Sequence, residues 1–314
     1  MTSAATSAAG SSRAEILPAA TLYGIAPLEL RARVVADGVL GGVHRSRRFG
    51  SSSEFAEHKL YAPGDDLRRL DWKAFARMDR YFVRRYEDET TLEIAIVVDT
   101  SGSMAYAGGA RGSFSWSKLE AARTLAAGLA WLALEHGDGT SVSLFGGAVA
   151  GGYLAPRGRR DHLRAVIEHL ESAAPNGKTP LAQALEQVGE RLVRRGLVVV
   201  ISDLIDTGLD ALAPLGVLRR RGCDVMLLHT LDRDELELPF DGVVRFEDLE
   251  GDREVQVDVP LVRDAYLEEL KRFLRGISDE ATRLDLRYTL AATDASPVAT
   301  LSSALDATFA GVRG

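Results

Sequence analysis

The sequence predicts an α/β protein: an open, mostly parallel β-sheet flanked by helices, preceded by a small β-rich subdomain. Three observations carry that expectation. Short apolar runs at residues 92–98, 142–145, 197–201 and 225–229 are bounded by polar or turn residues, as in strands buried on both faces. Amphipathic helical repeats lie between these runs, which implies parallel strands joined by right-handed crossovers. The chain of 314 residues is long enough for one large α/β domain and a smaller one.

Taken in order, residues 1–27 are rich in Ser, Thr, Ala and Gly, lack the basic start and apolar core of a signal peptide, and read as a disordered leader. Residues 28–89 are dense in Arg, aromatic residues and short polar turns, without long periodic helices, and form the expected subdomain. The main domain spans residues 90–310. After its first strand, Leu119, Ala122, Leu125, Leu129 and Leu132 repeat at three and four behind a cap at Ser115 or Ser117. Helical patterns follow at residues 163–170, 181–192 and 209–221. The segment VVRFEDLEGDREVQVDV alternates sides and reads as a hairpin turning near Gly251. Pro260 opens a helix reaching residue 275, and residues 284–290 read as the last strand.

Composition narrows the function. A net charge of −7 argues against a protein built to coat nucleic acid. The single cysteine, Cys223, rules out an internal disulfide and a cysteine metal cluster. The longest apolar stretch, LAAGLAWLAL, falls well short of the ~20 residues that span a bilayer. A soluble, cytoplasmic protein without stable membrane insertion is expected.

The stretch EIAIVVDTSGSMAY concentrates the chemistry. Asp99 directly follows the strand at 92–98, so it emerges at the carboxyl edge where open α/β sheets bind ligands. A nucleophilic serine fits poorly: Ser101 has Asp99 two residues before it where an elbow needs Gly. Among six histidines only His229, at a strand end, could act as a base. The tail NGKTP resembles a Walker A loop, yet Ser172 stands where the first Gly belongs, and the loop follows a helix instead of a strand. An aspartyl-phosphate enzyme would want a second carboxylate at position 101. A metal site fits better. Asp99, Ser101 and Ser103 alternate so that one turn can aim three oxygens at a point, as hard Mg²⁺ accepts. Thr179, before Pro180, opens a helix, and Asp203 follows another strand. Each could be a simple helix cap, but together, in this order, they converge on one rim.

This pattern resembles the metal-ion-dependent adhesion site of the von Willebrand factor type A fold, a Rossmann-like sheet. The resemblance implies that Ser101, Ser103 and Thr179 touch the metal, while Asp99 and Asp203 often act through water. Upstream, Tyr61, Gly64, Asp65, Asp66, Arg68, Leu70, Asp71, Trp72, Ala76 and Arg77 match the signature of the bacterial family called domain of unknown function 58. The residues of that signature can serve as packing or, through Arg and Trp, as a docking surface. Relatives of this family typically occur beside MoxR-type AAA+ ATPases, and many carry transmembrane helices. The resemblance therefore implies a non-enzymatic adaptor that binds a partner carboxylate through Mg²⁺, with Mn²⁺ or Ca²⁺ as substitutes. Two alternatives stand beside it: a metal-dependent phosphoester hydrolase using Asp99 as base or nucleophile, and a scaffold whose metal site is unused.

Overall fold

The computed structural model describes residues 26–46, 58–60, 81–84, 92–109, 116–146, 152–178, 181–192, 196–205, 207–251 and 253–310. Helix α1 (Leu28–Ser46) is followed by β1 (His58–Leu60), β2 (Phe82–Arg84), β3 (Glu93–Asp99), α2 (Lys118–Glu135), β4 (Gly139–Phe145) and β5 (Tyr153–Arg157). Then come α3 (His162–Glu171), α4 (Leu181–Arg191), β6 (Gly196–Ser202), α5 (Ala213–Arg220), β7 (Asp224–Leu231) and α6 (Arg233–Glu237). The chain continues through β8 (Val243–Glu247), β9 (Glu254–Asp258), α7 (Val259–Arg283), β10 (Arg287–Ala292) and α8 (Pro297–Ala310).

Six strands form one sheet in the order β10-β7-β6-β3-β4-β5. All neighbours are parallel except β5, which runs antiparallel to β4 at the edge. The expected mostly parallel α/β sheet is thus present. Its strands are apolar on both faces because both are covered. Ile94, Ile96 and Val98 of β3 join Leu197, Val199 and Ile201 of β6 in one core, under α1, α2, α3 and α8. Ala95 and Val97, with Val198 and Val200, enter the opposite core beneath α4, α5 and α7. From β3 the chain departs one way to β4 and returns on the other side to β6. The crevice between the carboxyl ends of β3 and β6 is therefore the topological switch point, where such sheets take ligands.

The region 28–89 holds the short antiparallel pair β1–β2. It also opens on a 19-residue helix that the residue pattern did not predict. Leu28, Ala32, Val35, Ala36 and Val39 line one stripe of α1 and enter the main core. Gly38, Gly41 and the valines weaken its local helix preference, and burial against α2 and α8 overrides that weakness. A Cβ on Gly128 of α2 would sit 2.7 Å from Val35, and one on Gly38 would sit 2.8 Å from Val298 of α8. Two glycines thus let three helices approach closely. Arg31 fastens α1 further: it donates to Thr124 Oγ1 at 3.0 Å and pairs with Glu120 at 2.8 Å.

Other differences are local. Edge strand β5 and helix α8 were not expected from the sequence. The helix expected to end at residue 275 continues to Arg283, and the last strand begins at Arg287 because Asp285 turns the chain in the left-handed region (φ 56°). Residues 209–221 divide into a 3₁₀ turn and α5. Ser117 caps α2, accepting from the Glu120 amide at 3.2 Å, whereas Ser115 lies outside the described residues. Among the described residues no helix is long and apolar enough to cross a membrane.

Candidate metal centre

Strand β3 delivers Asp99 to the rim, and the chain turns at once into a 3₁₀ turn, Gly102–Ala105. The turn is stapled from within and without. Asp99 Oδ1 accepts from the Ser101 amide at 2.9 Å, and Asp99 Oδ2 accepts from the Ser202 hydroxyl at 2.6 Å. The Thr100 amide donates to the Phe145 carbonyl at 2.7 Å, tying the loop to the end of β4. The loop before α4 closes in from the other side. Asn176 donates its amide to the Thr100 carbonyl, and Gly102 donates to the Gly177 carbonyl, both at 2.9 Å. Gly177 takes φ 57°, which a glycine adopts without the Cβ penalty.

These bonds leave the hydroxyls of Ser101 and Ser103 side by side, 3.1 Å apart. Asp99, Ser101, Ser103 and Asp203 are all buried at this rim. Thr179 and Pro180 lie outside the described residues, as does the Tyr61–Trp72 signature. The loop that leads to Thr179 is nevertheless at the site, through the bond between Gly177 and Gly102.

Asp203 is held by groups that sequence reasoning missed. Its Oδ1 accepts from the Ile205 amide at 3.1 Å, and its Oδ2 pairs with Lys118 Nζ at 2.7 Å. Lys118 opens α2 and is 0 % exposed. Its ammonium also meets Glu235 at 2.6 Å and lies 5.9 Å from the Tyr106 ring centre. Burial alone would drive the lysine pKa down; Asp203 and Glu235 overcome it and hold the group above its ordinary value. Lysine at a helix start ordinarily points to water, so the sequence carries no signal of this role. Ser202 was equally silent, as a small residue closing an apolar strand.

Both ring nitrogens of His229, the one histidine the sequence offered as a base, already have partners. The ring is buried, its Nε2–H donates to the Asp203 carbonyl at 2.9 Å, and its Nδ1 accepts from the Tyr288 hydroxyl at 2.9 Å. Burial pushes its pKa down to about 4, so the ring is neutral and fully engaged in bracing the Asp203 loop.

The chemistry of the donor set fits a hard divalent ion. Among the described residues no three His, Cys, Asp or Glu side chains converge as a metal cluster, and the oxygens that the rim offers are the Ser101 and Ser103 hydroxyls and the Asp99 carboxylate. Burial and the nearby Asp203 push the Asp99 carboxyl up to about 6, against the hydrogen bonds from Ser202 and Ser101. A cation at the rim would relieve that cost. Both Asp99 oxygens already accept a protein hydrogen bond, which leaves their remaining lone pairs for a bound water.

A family model described as "Protein of unknown function DUF58" matches residues 57–273. An uncharacterized protein of Mycobacterium tuberculosis, Rv1480, is 32% identical over 261 residues, covering 79% of this chain and 80% of its own. The uncharacterized protein YeaD of Bacillus subtilis is 24% identical over 192 residues, 60% of this chain and 43% of its own. Among solved structures, a conserved hypothetical protein, BatB from Bacteroides thetaiotaomicron, aligns with 70% of this chain and 99% of its own at 16% identity and a TM-score of 0.43. A von Willebrand factor type A protein from Catenulispora acidiphila aligns with 69% of this chain and 42% of its own at 17% identity and a TM-score of 0.36.

Proposed function

Since the chain belongs to the DUF58 family, whose description assigns no activity, the rim itself must speak for function, and we propose a protein-interaction module that captures a partner's carboxylate through a divalent metal. The supporting observation is the charge balance around the two serine hydroxyls. Lys118 neutralises Asp203, while Asp99, held by a hydroxyl and an amide, keeps its charge beside Ser101 and Ser103. Mg²⁺ held by neutral hydroxyls and one nearby carboxylate keeps net positive charge and an exchangeable position, which a partner's carboxylate can fill. Ser101, Ser103 and Thr179 would touch the ion; Asp99 and Asp203 would act through water. Mn²⁺ and Ca²⁺ suit the same oxygens.

The occurrence of relatives beside MoxR-type AAA+ ATPases supplies the partner class: the module serves as an adaptor of such a motor in the cytoplasm. No enzymatic step is required of it, and both nitrogens of His229 are engaged by Tyr288 and the Asp203 carbonyl. The test is binding between this protein and a purified MoxR-type ATPase of the same genome, in Mg²⁺ and in EDTA. Capture should need Mg²⁺ and vanish in Asp99→Ala with the fold intact. Capture indifferent to both EDTA and Asp99→Ala sinks the reading. Phosphoester turnover that needs metal and is lost in Asp99→Asn would favour the hydrolase instead.

A further inference from the structure

The β8–β9 hairpin leans its tip on the loop that presents the serine hydroxyls. The Leu249 carbonyl lies so close over Gly102 that a methyl group there would collide with it. Beside it, Glu250 Oε1 accepts from the Ser103 amide at 3.3 Å. The tip is shaped for this: the Glu250 amide donates to Asp248 Oδ1 at 2.8 Å, and the Asp248 amide donates to the Arg253 carbonyl at 2.9 Å. A carboxylate from a distant part of the chain thus rests on the residue whose hydroxyl faces the rim.

The hairpin itself is thinly supported. Its ten strand residues are exposed or half-buried, none fully buried. Beneath it lies a cavity of about 290 Å³, lined among others by Tyr106, Lys118, Leu238, Phe246 and Tyr266. An element with so few buried apolar contacts opens at low cost relative to the whole fold.

On the reading that the rim holds a divalent ion, we propose that Glu250 fills the ion's exchangeable position in the resting protein, so that a partner binds by displacing it. The site then carries its own carboxylate, and occupancy by a partner is a competition between two carboxylates for one position. The thin packing of the hairpin keeps that competition reversible. Because the incoming group must outcompete a tethered one, isolated carboxylates at low concentration are excluded.

Mn²⁺ alone is the probe. Its binding is followed by electron paramagnetic resonance of the free ion, and the water on the bound ion by proton relaxation. Wild type should bind one Mn²⁺, lost in Asp99→Ala. Glu250→Ala and Glu250→Gln should bind it about tenfold more weakly, with higher relaxation per bound ion, because water replaces a carboxylate oxygen. Acetate should lower the relaxation of Glu250→Ala and leave the wild type unchanged. If Asp99-dependent Mn²⁺ binding is present but affinity and relaxation are the same in both Glu250 variants as in wild type, this inference fails and the metal site stands. If wild type shows no Asp99-dependent Mn²⁺ binding, the metal-site reading fails first.

Discussion

At the scale of single residues, two buried charges set the character of the rim. Lys118 holds Asp203 and Glu235 at 2.7 and 2.6 Å with no exposure of its own. Lys118→Met removes the ammonium and leaves two buried carboxylates facing each other. The expected loss is about 3–5 kcal/mol, read from the urea midpoint. Asp99 behaves oppositely. Its pKa is raised from 3.8 to about 6, so the ionised carboxylate weakens the metal-free fold, with stability falling as pH rises through that window. A tenfold change in acidity corresponds to ~1.4 kcal/mol, and an amide in place of the carboxylate has a single accepting oxygen, so it keeps only one of the bonds from Ser101 and Ser202. Asp99→Asn should therefore stabilise the metal-free protein at neutral pH by about 1–2 kcal/mol, less than the full cost of ionisation. The same change should abolish any stabilisation by Mg²⁺. A binding site kept at a cost to stability is the pattern that such a pair of effects would reveal.

At the scale of elements, the test is whether α1 belongs to the main fold. Gly128→Leu drives a side chain into Val35, where even a Cβ would lie 2.7 Å away, and should cost about 1–3 kcal/mol or more. Hydrogen exchange should then show α1 losing protection before the sheet does. Elements whose residues repeat strongly were legible in sequence. The cores of β3, β4, β6 and β7 read as short continuous apolar runs, the β8–β9 hairpin by its alternation, and helices α2 to α4 by their three-four repeats. Helix α1 was not legible, because Gly38 and Gly41 look like helix breakers until Gly38 is seen packed on Val298 of α8 and Val35 on Gly128 of α2. The edge strand β5, with Pro156 in it and mostly exposed residues, has neither a buried run nor a clean alternation. At the rim, Asp99, Ser101, Ser103 and Asp203 could be read from spacing and strand ends. Ser202, Lys118 and Glu250 could not, because each acts through a contact between residues far apart in sequence: Ser202 with Asp99, Lys118 with Asp203 and Glu235, Glu250 with Ser103.

At the scale of the whole molecule, the sheet brings β3, β6 and the loop before α4 to one crevice, and the hairpin tip reaches the same point from a stretch of chain distant in sequence. An ion bound there ties four separated segments together, so it should stabilise the entire domain. Saturating Mg²⁺, at about 100 times its dissociation constant, should add roughly 2.7 kcal/mol to unfolding. Differential scanning calorimetry should show this as a rise in Tm of several degrees, reversed by EDTA. The most direct measurement is a calorimetric titration of Mg²⁺ into wild type and Ser101→Ala, with Asp99→Ala alongside. One ion bound per chain in wild type, with affinity lost in both variants of unchanged fold, is the predicted result. No saturable binding in wild type, or binding that both variants retain, would contradict a hydroxyl-built metal centre at this rim.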